Sequence, residues 1–137
     1  MPKIYEPIRQ DIIIGKSYTC EKLYDNRNLL RLKLVSICGD VLFVNFKEHI
    51  SYRICDEGDC FKLLFDIPKS IGLGRLFYEI KNSDYLNWLK EQNYDSWDYS
   101  GVRHYGIYAS NYMIDVLSHD EINVFRPTNI CTVHLPK

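Results

Sequence analysis

The chain has 137 residues, 46% of them hydrophobic and 26% charged, with a net charge of −1 at pH 7. That length can bury a core without staples, and the balance excludes both a disordered chain and a strongly cationic nucleic-acid binder. The charge is uneven: residues 83–123 set Lys90 and Arg103 against seven acids, a local −5, while the segments on either side are each +2. An acidic region can steer a basic partner, although charge runs are more often only solvated surface.

Met1–Glu6 has no apolar core and no small-residue cleavage site, so no secretory signal is expected there. No window approaches the ~18–20 apolar residues of a membrane span. The expected location is the cytoplasm, with no membrane partner. Asp25-Asn26-Arg27-Asn28 reads as a turn. Leu30, Leu32 and Leu34 then alternate with Arg31 and Lys33, the period of a half-buried strand. Gly39-Asp40 suits a hairpin turn between Leu29–Cys38 and Val41–Lys47. Leu42, Val44 and Phe46 continue the alternation, and so do Ile50, Tyr52 and Ile54. Asp56-Glu57-Gly58-Asp59 reads as another turn, with Cys60–Asp66 as a further strand. A meander of four or more strands is therefore expected over residues 12–66.

Gly72 and Gly74 follow Pro68, but the third glycine and the Lys-Ser/Thr of a phosphate loop are missing. Leu76–Ile80 reads as a strand. Ser83 is a candidate N-cap with Asp84 in the first turn. Tyr85, Trp88, Leu89 and Gln92 lie at i, i+3, i+4 and i+7, which predicts a helix over 83–93 with Tyr85 and Trp88 turned into the core. Tyr94–Gly101 is a polar-aromatic loop. Val102–Ala109 and Met113–Ser118 read as a C-terminal hairpin joined near Ser110-Asn111. Ile122–Phe125 is a last extended piece before Pro127. The expected fold class is α+β: a single domain over 1–137, a mostly antiparallel sheet with one central helix packed on it.

The residues that carry chemistry are sparse. Cys20, Cys38, Cys55, Cys60 and Cys131 contain no Cys-x-x-Cys, which argues against a structural zinc site. Cys55 and Cys60 flank a four-residue loop that would set them opposite each other, and in a reducing cytosol two free thiols are expected. His49, His104, His119 and His134 form no His-x-x-x-His or His-x-Asp cluster; His119 and Glu121 share a face but read as a surface turn. No metal and no cofactor are expected. There is no Gly-x-Ser-x-Gly elbow, and no catalytic residue is assigned. Asp115 interrupts the apolar run Met113–Leu117. Facing inward, it needs a partner such as His104 or Arg103. An Asp115–His104 pair is the minimum for acid–base chemistry, though a structural cross-strand pair is the commoner outcome.

Aromatics are concentrated in the same region: ten of the 19 Phe, Trp and Tyr fall between residues 77 and 112. In Tyr94-Asp95-Ser96-Trp97-Asp98-Tyr99, acids and rings share one loop, where function tends to sit. Base stacking would require a basic groove, and Asp84, Glu91, Asp95 and Asp98 repel phosphate, so no nucleic-acid partner is expected.

Asn82-Ser83-x-Tyr85-Leu86-x-Trp88-Leu89, His104-Tyr105-x-Ile107-Tyr108 and Ile114-Asp115-Val116-Leu117 together resemble bacterial immunity proteins of polymorphic and contact-dependent toxin systems. The resemblance covers residues 75–120. It implies a non-enzymatic cytoplasmic protein that binds and blocks one cognate toxin domain, with a basic nuclease as the expected partner. The interface residues expected on this reading are Asp84, Glu91, Asp95, Trp97, Asp98, Tyr99, Asp115 and Asp120. The rival expectations are an enzyme using His104 and Asp115 as an acid–base pair, and a module binding a small ligand in the aromatic cluster.

Overall fold

The computed structural model describes residues 2–14, 17–72 and 74–127; Cys131 and His134 lie outside them. The described chain forms nine strands, β1 (Ile4–Pro7), β2 (Tyr18–Asp25), β3 (Leu30–Ser36), β4 (Val41–Phe46), β5 (His49–Asp56), β6 (Phe77–Lys81), β7 (Arg103–Tyr108), β8 (Tyr112–Ser118) and β9 (Asn123–Phe125). A 3-10 turn, Glu57–Asp59, leads into helix α1 (Phe61–Asp66), and α2 (Asp84–Gln92) follows β6. The fold is α+β and mostly antiparallel.

The strands make two sheets. One has the order β2-β3-β4-β9, the other β1-β6-β7-β8-β5. Alternation explains how they meet. Leu30, Leu32 and Leu34 of β3 lie opposite Phe46, Val44 and Leu42 of β4. All six are fully buried, and they pack on Phe77, Tyr105, Ile107, Ile114 and Val116 of the five-stranded sheet. Because successive side chains point to opposite faces, the same strands β6, β7 and β8 bury a second set. Tyr78, Ile80, Tyr108 and Met113 pack under α1, and Leu117 under Tyr85 and Leu89 of α2. The five-stranded sheet is thus covered on both faces, which is why β8 reads as an almost unbroken apolar run.

Two expectations need correction. The first four long strands do not form one meander. β2, β3 and β4 do, but β5 crosses to the other sheet and pairs with β8. Asp120 makes that corner: its carboxylate accepts hydrogen bonds from the backbone N–H of Lys47 at 3.0 Å and of Glu48 at 3.2 Å. The second concerns Cys60–Asp66, which is helical rather than extended. Cys60, Leu63, Leu64 and Ile67 stand at helical spacing and pack together, a period hidden within a short apolar run. Lys62 and Asp66 add an i,i+4 pair at 3.1 Å. Strands β1 and β2 were not singled out by any pattern.

Truncating the inter-sheet core should be expensive. Leu32→Ala is expected to cost about 2–5 kcal/mol in a urea titration. Lys33→Ala, on the outward face and half-exposed, should cost no more than about 0.5 kcal/mol.

Candidate functional site

Asp115 sits in mid-β8 and faces α2, at 4% exposure. A buried carboxylate requires partners, and it has three. His104 Nε2 lies 2.7 Å from Oδ1, the Tyr108 hydroxyl donates to the same oxygen at 2.7 Å, and Arg53 Nε donates to Oδ2 at 3.2 Å. Arg103, the alternative partner, points to solvent and pairs with Glu121 instead. Gly106 is the residue directly across from Asp115 on β7. A methyl group there would lie 2.5 Å from the Tyr108 ring, so the missing side chain is the space through which Tyr108 folds back to reach the carboxylate.

The network continues to the helix. Asp115 only accepts hydrogen bonds, so His104 Nε2 carries a proton. His104 Nδ1 lies 2.7 Å from Ser83 Oγ, and Ser83 Oγ in turn accepts from Leu86 N–H at 2.9 Å. Ser83 is therefore the N-cap expected from the sequence, tied to a His–Asp pair. Tyr85 packs edge-on against His104, and the Arg53 guanidinium lies 4.2 Å above the Tyr85 ring. Burial alone would push the Asp115 carboxyl up, but His104, the Tyr108 hydroxyl and Arg53 outweigh it and hold the group below the ordinary carboxylate range. Burial, then the facing carboxylate, pushes the Tyr108 phenol well up, so it remains a donor.

Ser83, His104 and Asp115 stand in the order of a nucleophilic triad. The geometry limits what they can do. Asp115 holds His104 at Nε2 and Ser83 meets the other nitrogen, so the Ser83 hydroxyl is the group that would have to act as nucleophile. Ser83 is 5% exposed and its oxygen already caps α2. Asp115 lines a cavity of about 330 Å³ with Lys3, Arg53 and Cys55, whereas Ser83 and His104 line another, of about 310 Å³, with Asn82 and Val102. This chain of bonds positions α2 on the sheet.

What α2 carries outward is a second constellation. Trp88 is 50% exposed, Tyr94 93% and Trp97 68%. Asp84, Glu91, Asp95 and Asp98 are exposed in the same segment. Over residues 84–98 Lys90 is the sole base against these four acids, a balance of −3. Trp88 was expected in the core; it instead stacks beside Tyr85 at the rim, with ring centroids 5.9 Å apart. Helix α2 ends in a Schellman motif: Tyr94 N–H bonds Glu91 C=O at 3.1 Å, and Asp95 N–H bonds Lys90 C=O at 2.9 Å. The left-handed residue of that motif is normally glycine. Here it is Tyr94, at φ +53°, and Asp95 follows at φ +57°.

Three expected interface residues are placed elsewhere. Asp115 is buried in the network. Asp120 is spent on the β4–β5 corner and on the Ser118 hydroxyl. Tyr99 is half-buried against α2, and its hydroxyl accepts from Asn93 Nδ2 at 2.5 Å, bracing the loop from inside. Asp84, Glu91, Asp95, Trp97 and Asp98 are exposed; Asp84 also pairs with Lys3 at 3.5 Å. Arg53 and Gly106 were not singled out; Tyr94 entered only as part of the 94–99 loop and Tyr108 only within the resemblance string, neither with a role of its own. A glycine in an otherwise full strand pattern was the one available signal for the Gly106–Tyr108 pair.

Among the described residues no group of three or more His, Cys, Asp or Glu is arranged to hold a metal ion. No helix of the described residues is long and apolar enough to cross a membrane. Comparison with known protein families, curated proteins and solved structures gives no match.

Removing the carboxylate strands two buried donors, so Asp115→Ala should cost about 3–5 kcal/mol in denaturant unfolding. Gly106→Ala should cost about 1–3 kcal/mol by displacing the Tyr108 ring. The pH dependence has a definite sign. A carboxyl held low in the folded state contributes stability above its unfolded value, about 4. That stability is lost as pH falls through the folded value. The acid limb of a stability–pH curve should be shallower in Asp115→Asn than in the parent chain.

Proposed function

We propose that this chain is a binding protein of the immunity type, which neutralises a basic toxin domain of the nuclease class by covering its active site. The observation that carries the reading is the exposed segment 84–98. Three large rings stand in solvent there among four carboxylates. Tyr and Trp bury much area at little entropic cost, and they dominate interface energetics when a partner closes over them. A nuclease surface that holds phosphate is basic, and carboxylates can occupy the positions of those phosphates.

Tyr94 supports the same reading from a different direction. A non-glycine residue in the left-handed region costs on the order of 1 kcal/mol relative to glycine. The two capping hydrogen bonds of the α2 C-terminus would form equally well with glycine there, and the ring adds no packing because it is almost wholly in solvent. Strain of this kind collects at functional sites. The surface is also held still: Ser83 fixes the start of α2 to His104, and Asn93 with Tyr99 braces the loop. A fixed surface loses less entropy on binding. The reading of an enzyme built on His104 and Asp115 is disfavoured by the burial of both side chains and of Ser83, whose hydroxyl caps α2.

The test is co-purification of the tagged chain with a basic toxin domain encoded beside it, followed by a growth assay. A 1:1 complex that abolishes toxicity is expected. Trp97→Ala should weaken binding by about 2–4 kcal/mol. Tyr94→Gly should raise stability by about 1 kcal/mol while weakening the complex. If both variants bind as tightly as the parent, the interface lies elsewhere. If the chain leaves toxicity intact, the neutralising role itself fails.

A further inference from the structure

Cys55 and Cys60 take no part in the network or in the exposed segment. Cys55 lies near the end of β5 and Cys60 immediately precedes α1. The expected hairpin between them is a 3-10 turn, yet it still returns the chain on itself. Cys60 N–H bonds Glu57 C=O at 3.2 Å, and the Asp56 carboxylate accepts from Gly58 N–H at 2.9 Å. Glu57 N–H is tied to Asn111 C=O at 3.0 Å, so the turn is anchored to the β7–β8 hairpin. Both thiols are free and partly exposed; Cys55 lies opposite Met113 on β8, and Cys60 packs against the cluster that contains Met113. They line one cavity of about 330 Å³ with Lys3, Arg53 and Lys62.

We propose that Cys55 and Cys60 are a thiol–disulfide exchange site that closes to an intramolecular disulfide against a small anionic dialkyl disulfide such as glutathione disulfide. The three cations at the cavity suit an anionic co-reactant, although Asp66 and Asp115 share the wall with them. The exchange takes two displacements. In the first, one cysteine thiolate attacks a sulfur of glutathione disulfide. The S–S bond breaks, one glutathione thiolate leaves and takes a proton from solvent, and a mixed disulfide stands on the protein. In the second, the other cysteine thiolate displaces the second glutathione from that mixed disulfide. The protein dithiol has lost two protons and two electrons. The oxidant has become two thiols.

The order follows from the surroundings. Burial first, then the Cys55 thiol, pushes the Cys60 thiol up to about 12. Cys60 therefore stays protonated and the first attack belongs to Cys55. Once Cys55 is in a mixed disulfide, its own contribution to that shift disappears, and Cys60 becomes a better nucleophile for the second step. The turn returns the chain so that both cysteines line one cavity, and closure requires little further ordering of the chain.

The experiment is incubation of the reduced full chain with excess glutathione disulfide, followed by intact mass and peptide mapping. The expected product is two hydrogens lighter, without an adduct, and linked between the peptides holding Cys55 and Cys60. Cys60→Ser should stop at one stable glutathione adduct on Cys55. Cys38→Ser, which removes an exposed thiol outside the cavity, should close as the parent does. A parent chain that accumulates mixed disulfide without closing, or that pairs Cys55 or Cys60 with a different cysteine, would overturn the proposal. So would a parent that keeps both thiols after prolonged exposure.

Discussion

A carboxylate removed from water must be satisfied by the protein, and Asp115 is that constraint here. It is 4% exposed in mid-sheet, so most of its hydrogen bonds must come from the protein. Each partner comes from a different place in the sequence: Arg53 from β5, His104 and Tyr108 from β7, and Ser83 through His104 from the start of α2. One group thus fixes the order of three neighbouring strands and the seat of a helix. The requirement propagates to Gly106, whose absent side chain gives Tyr108 its path. Hydrophobic burial supplies most of the driving force in any such fold. It is not directional, and a sheet face of Leu, Ile and Met would accept α2 in several positions. The polar chain accepts it in one.

That rigidity has a use at the outer surface. α2 presents Trp88 and Glu91, and its C-terminal turn presents Tyr94 and Asp95 in left-handed conformations. The loop then folds back through Asn93 and Tyr99. The inner side of the segment is therefore fully engaged with the protein, while the outer side carries large rings in water and a strained backbone. Inside, among the described residues, the buried polar side chains are hydrogen-bonded apart from the Tyr5 hydroxyl and His49 Nδ1; outside, large rings are left uncovered among carboxylates.

Much of the architecture was legible in the chain. Period-two alternation at Leu30–Leu34 and Leu42–Phe46 is a direct consequence of pleating, so β3 and β4 were readable. Ser83 with Asp84 announced the start of α2, and the spacing of Tyr85 and Leu89 its buried face. Other parts were ambiguous for physical reasons. Cys60–Asp66 is a short apolar run whose helical and extended readings differ only in what packs against it. Trp88 shares its helical stripe with Tyr85, but the stripe is wider than the sheet beneath it, and Trp88 falls at the edge. Asp115 and Asp120 were acids like the others in composition. Asp115 is enclosed by two layers, which its place in the apolar run Met113–Leu117 signals; Asp120 clamps a corner, which has no local signature.

The sequence by itself determined the fold class, the helix and its cap, the C-terminal hairpin and the acidic, aromatic character of residues 84–98. These depend on neighbours a few positions apart, whose geometry is set by backbone periodicity and capping. The tertiary structure alone decided that β5 leaves its meander for the second sheet, that Arg53 and Tyr108 join His104 on Asp115, and that Trp88 and Tyr94 face solvent. Those outcomes depend on contacts between residues far apart in the chain, such as Arg53 and Asp115, 62 positions apart. Such contacts arise from where whole layers can bury their apolar faces, and local patterns do not encode that choice.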